Sequence, residues 1–150
     1  MRQIRFTKEG FENLKKEQVG LLHKRTFAVD ELQQARELGD LSENGFYKAA
    51  RAKLSSIDAR LRILTLLIKN STIVTNLQTA TVEIGNTVTL AEGEKELTYQ
   101  IVGDIESNPA RGKISQLSPI GKAIAGRRVG ETVTITIPAG NVRYRIIKIY

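Results

Sequence analysis

Asp40 and Glu43 stand three residues apart in the stretch Gly39-Asp40-Leu41-Ser42-Glu43-Asn44, with Arg36 on one side and Arg51 on the other. Two chemistries suit these residues. In the first, Asp40 is the N-cap of a helix, Glu43 is its capping-box partner and Gly39 is the left-handed residue that closes the helix before it. Both acids then lie in a first helical turn, where the macrodipole favours their ionised forms, while Arg36 complements a helix C-terminus and Arg51 is a surface charge. A D-x-x-E at a helix start is most often such a cap. In the second, the acids act chemically and the two arginines grip phosphates beside them. The spacing admits both.

Little else in the chain offers reactive groups. There is no cysteine, which excludes disulfides and thiolate metal sites and makes the cytoplasm the expected compartment. The single histidine, His23, falls between seam positions of a helix and reads as an exposed residue. The first residues, Met-Arg-Gln-Ile-Arg-Phe-Thr, contain no apolar core of a signal peptide, and no run approaches a membrane span, so no membrane partner is expected.

The elements that must carry the acids are two helices. Before the turn, Phe11, Leu14, Gln18, Leu21, Arg25, Ala28, Leu32 and Ala35 recur at alternating three- and four-residue steps; after it, Tyr47, Ala50, Leu54, Ile57, Leu61, Leu64 and Ile68 do the same. These are coiled-coil seams. Joined through so short a connection, the helices must run antiparallel for the seams to meet. The first, from about Lys8 to Leu38, is roughly 45 Å long at 1.5 Å per residue, which holds the acids far from the hairpin's base. Thr7 is placed to cap it.

A length of 150 residues and 41% hydrophobic content allow one domain or two small ones. The formal charge of +7 favours a polyanionic or acidic partner. Residues 1–70 hold 14 Lys and Arg against 9 Asp and Glu, while 71–150 hold 9 against 7, so the excess is mainly on the hairpin. Thr72-Ile73-Val74-Thr75 reads as a linker, and the boundary is placed between domains 1–75 and 76–150. The second half offers strands at 81–90, 96–102, 113–117, 132–137 and 142–149, several alternating apolar and polar residues. Ser118 as N-cap, Pro119 at the first helical position and Gly126 as stop mark a short helix, and Pro138-Ala139-Gly140-Asn141 a hairpin turn. The fold class is α+β.

The tip Ala35-Arg36-Glu37-Leu38-Gly39-Asp40-Leu41-Ser42-Glu43-Asn44, with Tyr47 and Ala49-Ala50-Arg51 after it, resembles the GreA-like members of the bacterial Gre transcript-cleavage factors, a family of transcription elongation factors. Ser118-Pro119-Ile120-Gly121-Lys122-Ala123, then Gly126 and Val129-Gly130-Glu131-Thr132-Val133, resemble the family's C-terminal domain. The likeness spans essentially the whole chain. It implies an N-terminal antiparallel α-helical coiled-coil hairpin followed by a C-terminal α+β domain of FK506-binding-protein-like fold, and a monomer. It further implies that the C-terminal domain docks on RNA polymerase while the coiled coil enters the secondary channel, where backtracked complexes extrude the RNA 3′ end.

On that resemblance Asp40 and Glu43 are the tip acids, helping to hold a second Mg²⁺ beside the one the polymerase holds and to orient the attacking water, and Arg36 and Arg51 are the tip arginines that contact nucleic acid. Two-metal hydrolysis needs hard oxygen ligands, and Mg²⁺ takes only one or two carboxylates from a protein. Asp40 and Glu43 have no third ligand, so the chain alone is expected to bind no cofactor and to catalyse nothing; it would stimulate the polymerase's own activity. Two features depart from the family: Gly45-Phe46 stands where Ala-Glu is common, and the chain is basic where many relatives are acidic. Phe46 either packs beside the seam or stacks on an RNA base. The alternatives are a Gre-like channel binder that inhibits without cleavage, which intact Asp40 and Glu43 disfavour, and a peptidyl-prolyl isomerase. The isomerase ranks last, since only Tyr99, Tyr144 and Tyr150 are available for an aromatic proline pocket.

Overall fold

A computed structural model describes residues 3–39, 43–75 and 80–150. Asp40 and the start of the expected second domain, residues 76–79, lie outside them. The elements in chain order are β1 (Ile4–Thr7), α1 (Lys8–Glu37), α2 (Gly45–Lys69), β2 (Ser71–Val74), β3 (Thr87–Glu92), β4 (Lys95–Val102), two 3₁₀ turns (Asp104–Glu106 and Pro109–Arg111), β5 (Lys113–Ser115), α3 (Pro119–Ile124), β6 (Thr132–Ile137) and β7 (Gly140–Ile149). The chain divides into two compact units, Phe11–Asn70 and Arg2–Gly10 with Ser71–Tyr150.

In the first unit α1 and α2 run antiparallel. As the position on α1 rises from Glu17 through Arg25 to Glu31, its ion-pair partner on α2 falls from Arg60 through Asp58 to Lys53, at 2.7, 2.6 and 2.7 Å. Gln18 adds a hydrogen bond to Thr65 at 3.2 Å. The seams read from the sequence are the sheltered faces: Leu14, Ala28 and Ala35 on α1 and Ile57 and Leu64 on α2 are buried, and most of the remaining seam positions are half-buried. Arg25 is the exception, exposed because its charge is paired at the rim with Asp58. Burying these rows supplies most of the hairpin's stability, since each ion pair is exposed and contributes about 0–1 kcal/mol.

The second unit is built on a five-stranded sheet in the order β5-β4-β3-β7-β6, antiparallel except for the β4–β5 pair. Alternation sends Val133 and Ile135 of β6, Tyr144 and Ile146 of β7, and Val88 and Leu90 of β3 into one core with Ile101, Ile114 and Ile124. Burial, more than any other influence, raises the Tyr144 phenol above its ordinary value of 10.0. Ser118 caps α3 by accepting from the Gly121 N–H at 3.0 Å, with Pro119 opening the helix. Of the residues expected to form the last hairpin turn, Pro138 and Ala139 join β6 to β7, while Gly140, at φ +126°, and Asn141 already belong to β7, paired with Ile137 and Thr136.

The expected linker is a strand. Thr72–Val74 belongs to β2, which pairs in parallel with β1, in the register Ile4 to Ser71 and Thr7 to Val74. Both β1 and β2 belong to the second unit, and Phe6 of β1 is completely buried. Thr7, expected as a cap, accepts from the Gly10 N–H at 3.0 Å, and its own N–H donates to Glu106 Oε2 at 2.9 Å. The Thr7 hydroxyl donates to Glu106 Oε1.

Candidate functional site at the hairpin tip

The connection that carries the candidate acids is longer than a single tight turn. Helix α1 ends at Glu37 and α2 begins at Gly45, so residues 38–44 join them. Gly39 has φ +123°, a conformation open to glycine and strained for other residues. The N-cap of α2 is Asn44, whose Oδ1 accepts from the Tyr47 N–H at 3.0 Å. This corrects the expected capping box. Asp40 is not the cap of α2, and Glu43 precedes the cap instead of lying in the first turn, which contains no acid. Glu43 therefore stands just outside the first turn of α2.

Glu43 is exposed. Arg36, in the last turn of α1, is also exposed, and its guanidinium carbon lies 5.9 Å from the centre of the Tyr47 ring, a cation–π contact that joins the end of α1 to the start of α2. Arg51 is exposed further along α2. Asp40 lies outside the described residues. Among the described residues no group of three or more His, Asp or Glu is arranged to hold a metal ion. An exposed carboxylate such as Glu43 suits Mg²⁺ as one hard oxygen donor of an incomplete set.

Phe46 does not pack into the seam. It is 76% exposed and, with Leu38 (72% exposed), Ala35, Ala49 and Ala50, lines a cavity of about 350 Å³. The tip residue that sequence reasoning passed over is Asn44. Asp40, Ser42 and Asn44 are all good N-caps, so cap propensity could not choose among them.

An α+β protein whose candidate chemistry sits on the turn of a helical hairpin is thus defined, and comparison with known proteins places it. The family described as transcription elongation factor, N-terminal, matches residues 4–73, and that described as transcription elongation factor, GreA/GreB, C-term, matches residues 77–150. The transcription elongation factor GreA of Lactococcus lactis subsp. cremoris (strain SK11) is 40% identical over 148 residues, covering 95% of each chain. That of Geobacillus kaustophilus (strain HTA426) is 40% identical over 154 residues, covering 99% of this chain and 97% of its own. Among solved structures, GreA factor homolog 1 of Thermus thermophilus is 27% identical with a TM-score of 0.48, covering 99% of both chains. The chain belongs to the GreA/GreB family of transcription elongation factors. Among the described residues no helix is long and apolar enough to cross a membrane.

Proposed function

We propose that this protein binds RNA polymerase in the cytoplasm as a monomer, inserts its helical hairpin into the secondary channel and stimulates the polymerase's own cleavage of backtracked RNA. The observation that carries this reading is the match of both halves, over nearly the whole chain, to curated GreA factors at 40% identity. The exposed Glu43 and Arg36 at one end of the hairpin agree with it, since groups that act inside another protein must be presented outward. Asp40 and Glu43 would each supply carboxylate oxygens to a Mg²⁺ shared with the polymerase and would orient the attacking water; the chemistry such an ion would supply is polarisation of the phosphate and a more acidic water. Arg36 and Arg51 hold phosphate oxygens of the extruded RNA 3′ end. The chain brings two carboxylates and no complete metal site, so the polymerase remains the catalyst.

A cleavage assay on a stalled, backtracked polymerase complex tests this, with the wild type beside Asp40→Asn/Glu43→Gln. Neither substitution removes the cap of α2, which is Asn44. Amides are weak Mg²⁺ ligands without negative charge, so the double variant is expected to compete with the wild type for polymerase while losing stimulated cleavage. Stimulation at the wild-type rate by the double variant would overturn the role given to the acids. Inhibition by the wild type would instead make the protein a channel blocker.

A further inference from the structure

The Asn44 amide does two things at once. Its Oδ1 accepts from the Tyr47 N–H at 3.0 Å, at the start of α2, and its Nδ2 donates to the Ala35 carbonyl at 2.7 Å, in the last turn of α1. Both partners are backbone groups of the kind that helix ends leave without an intrahelical bond. The polarity of the pair is fixed, because a carbonyl can only accept and an N–H can only donate, so one orientation of the amide satisfies both. Asparagine suits this place for a reason that capping does not require. Aspartate offers acceptors only and would set a carboxylate oxygen against the Ala35 carbonyl, while serine caps as well but ends one bond short of Nδ2.

Asn44 follows Glu43 in the chain, Ala35 precedes Arg36, and Arg36 lies over the ring of Tyr47, the residue whose N–H Asn44 binds. We propose that Asn44 is a positioning residue: its side chain clamps the two ends of the connection 35–44 together, and so holds the segment that carries Asp40 and Glu43 to one span. Its importance for cleavage rests on the function proposed above; the clamp itself does not. A metal-holding carboxylate has to sit at the reacting phosphate, and a misplacement of about 1 Å at such a centre costs on the order of 100-fold in rate.

The test compares wild type, Asn44→Ser and Asn44→Asp. Both variants keep an N-cap; Asn44→Asp has no donor for Ala35, the Asn44→Ser hydroxyl ends one bond short of it, and only Asn44→Asp adds charge, so an effect shared by both is not electrostatic. The chain has no cysteine, which makes Gln34→Cys with Ala49→Cys a clean pair for nitroxide labels, and both positions border the cavity at the tip. The label-to-label distance distribution of the free protein is expected to broaden in both variants while helicity by circular dichroism stays at the wild-type level. In the cleavage assay at saturating factor, both variants are expected to compete for polymerase as the wild type does and to stimulate cleavage roughly tenfold less or worse. An unbroadened distribution in Asn44→Ser overturns the clamp. A broadened distribution with undiminished cleavage overturns its positioning role. If the unsubstituted protein stimulates no cleavage, the proposed function falls, and the distance measurement alone decides the clamp.

Discussion

Arg60 on α2 donates from Nε and Nη2 to the two carboxylate oxygens of Glu17 on α1, at 2.7 and 2.9 Å, a fork-to-fork pair between the helices. The hydrogen bond from Arg60 holds the Glu17 carboxyl below its ordinary value of 4.5. A group with a lowered folded value stabilises the fold above its unfolded value and loses that contribution as pH falls through the folded one. The difference in stability between wild type and Arg60→Met should therefore be full above about pH 4.5, shrink below it and vanish once Glu17 is protonated. Both side chains are substantially exposed, so we expect only about 0.5 kcal/mol at neutral pH and less in 1 M salt. Urea unfolding of both proteins across pH would check the sign.

Two glycines in helices should respond oppositely to alanine. A Cβ on Gly121 in α3 would lie 2.0 Å from the Ser115 carbonyl oxygen and 2.9 Å from the Gln116 Cα, both backbone atoms that cannot move aside alone. Gly121→Ala is expected to cost about 1–3 kcal/mol despite alanine's better helix propensity. Nothing lies within 4 Å of the corresponding atom on Gly20 in α1, and Gly20→Ala should stabilise by about 0.5–1 kcal/mol. Thermal unfolding of the pair separates packing from propensity.

Exposure separates Phe46 from the seam. With 76% of its surface open, Phe46→Ala should change stability by no more than about 0.5 kcal/mol, whereas Leu64→Ala, at a fully buried position, should cost about 2–5 kcal/mol. A large loss from Phe46→Ala, measured by denaturant unfolding, would mean that the ring is sheltered in solution.

Arg36 and Arg51 carry a prediction about salt. If they hold phosphates, Arg36→Ala and Arg51→Ala should each weaken stimulated cleavage and flatten its dependence on ionic strength, since each removes one counterion-releasing contact. Rates measured from low to high salt decide this. Cleavage unchanged at every salt concentration would leave both as surface charges, with Arg36 serving through its contact with Tyr47.

What could be read from the chain alone was what local physics dictates. Alternating three- and four-residue spacing put Leu14, Ala28, Ile57 and Leu64 on buried faces because helical period needs no distant information, and alternation placed Val133 and Ile135 in the sheet core for the same reason. Ser118 and Pro119 marked α3 through their own backbone preferences. Tertiary structure decided the rest. Ser71–Val74 became a strand because β1 offered an edge 67 residues earlier in the chain, a partner that a short run cannot reveal. At the tip, Asp40, Ser42 and Asn44 are about equal as caps of α2. The Ala35 carbonyl at the end of the other helix singles out Asn44, whose amide donates to it while accepting from the Tyr47 N–H; an aspartate carboxylate has no donor, and a serine hydroxyl, which can also donate while it caps, ends one bond shorter.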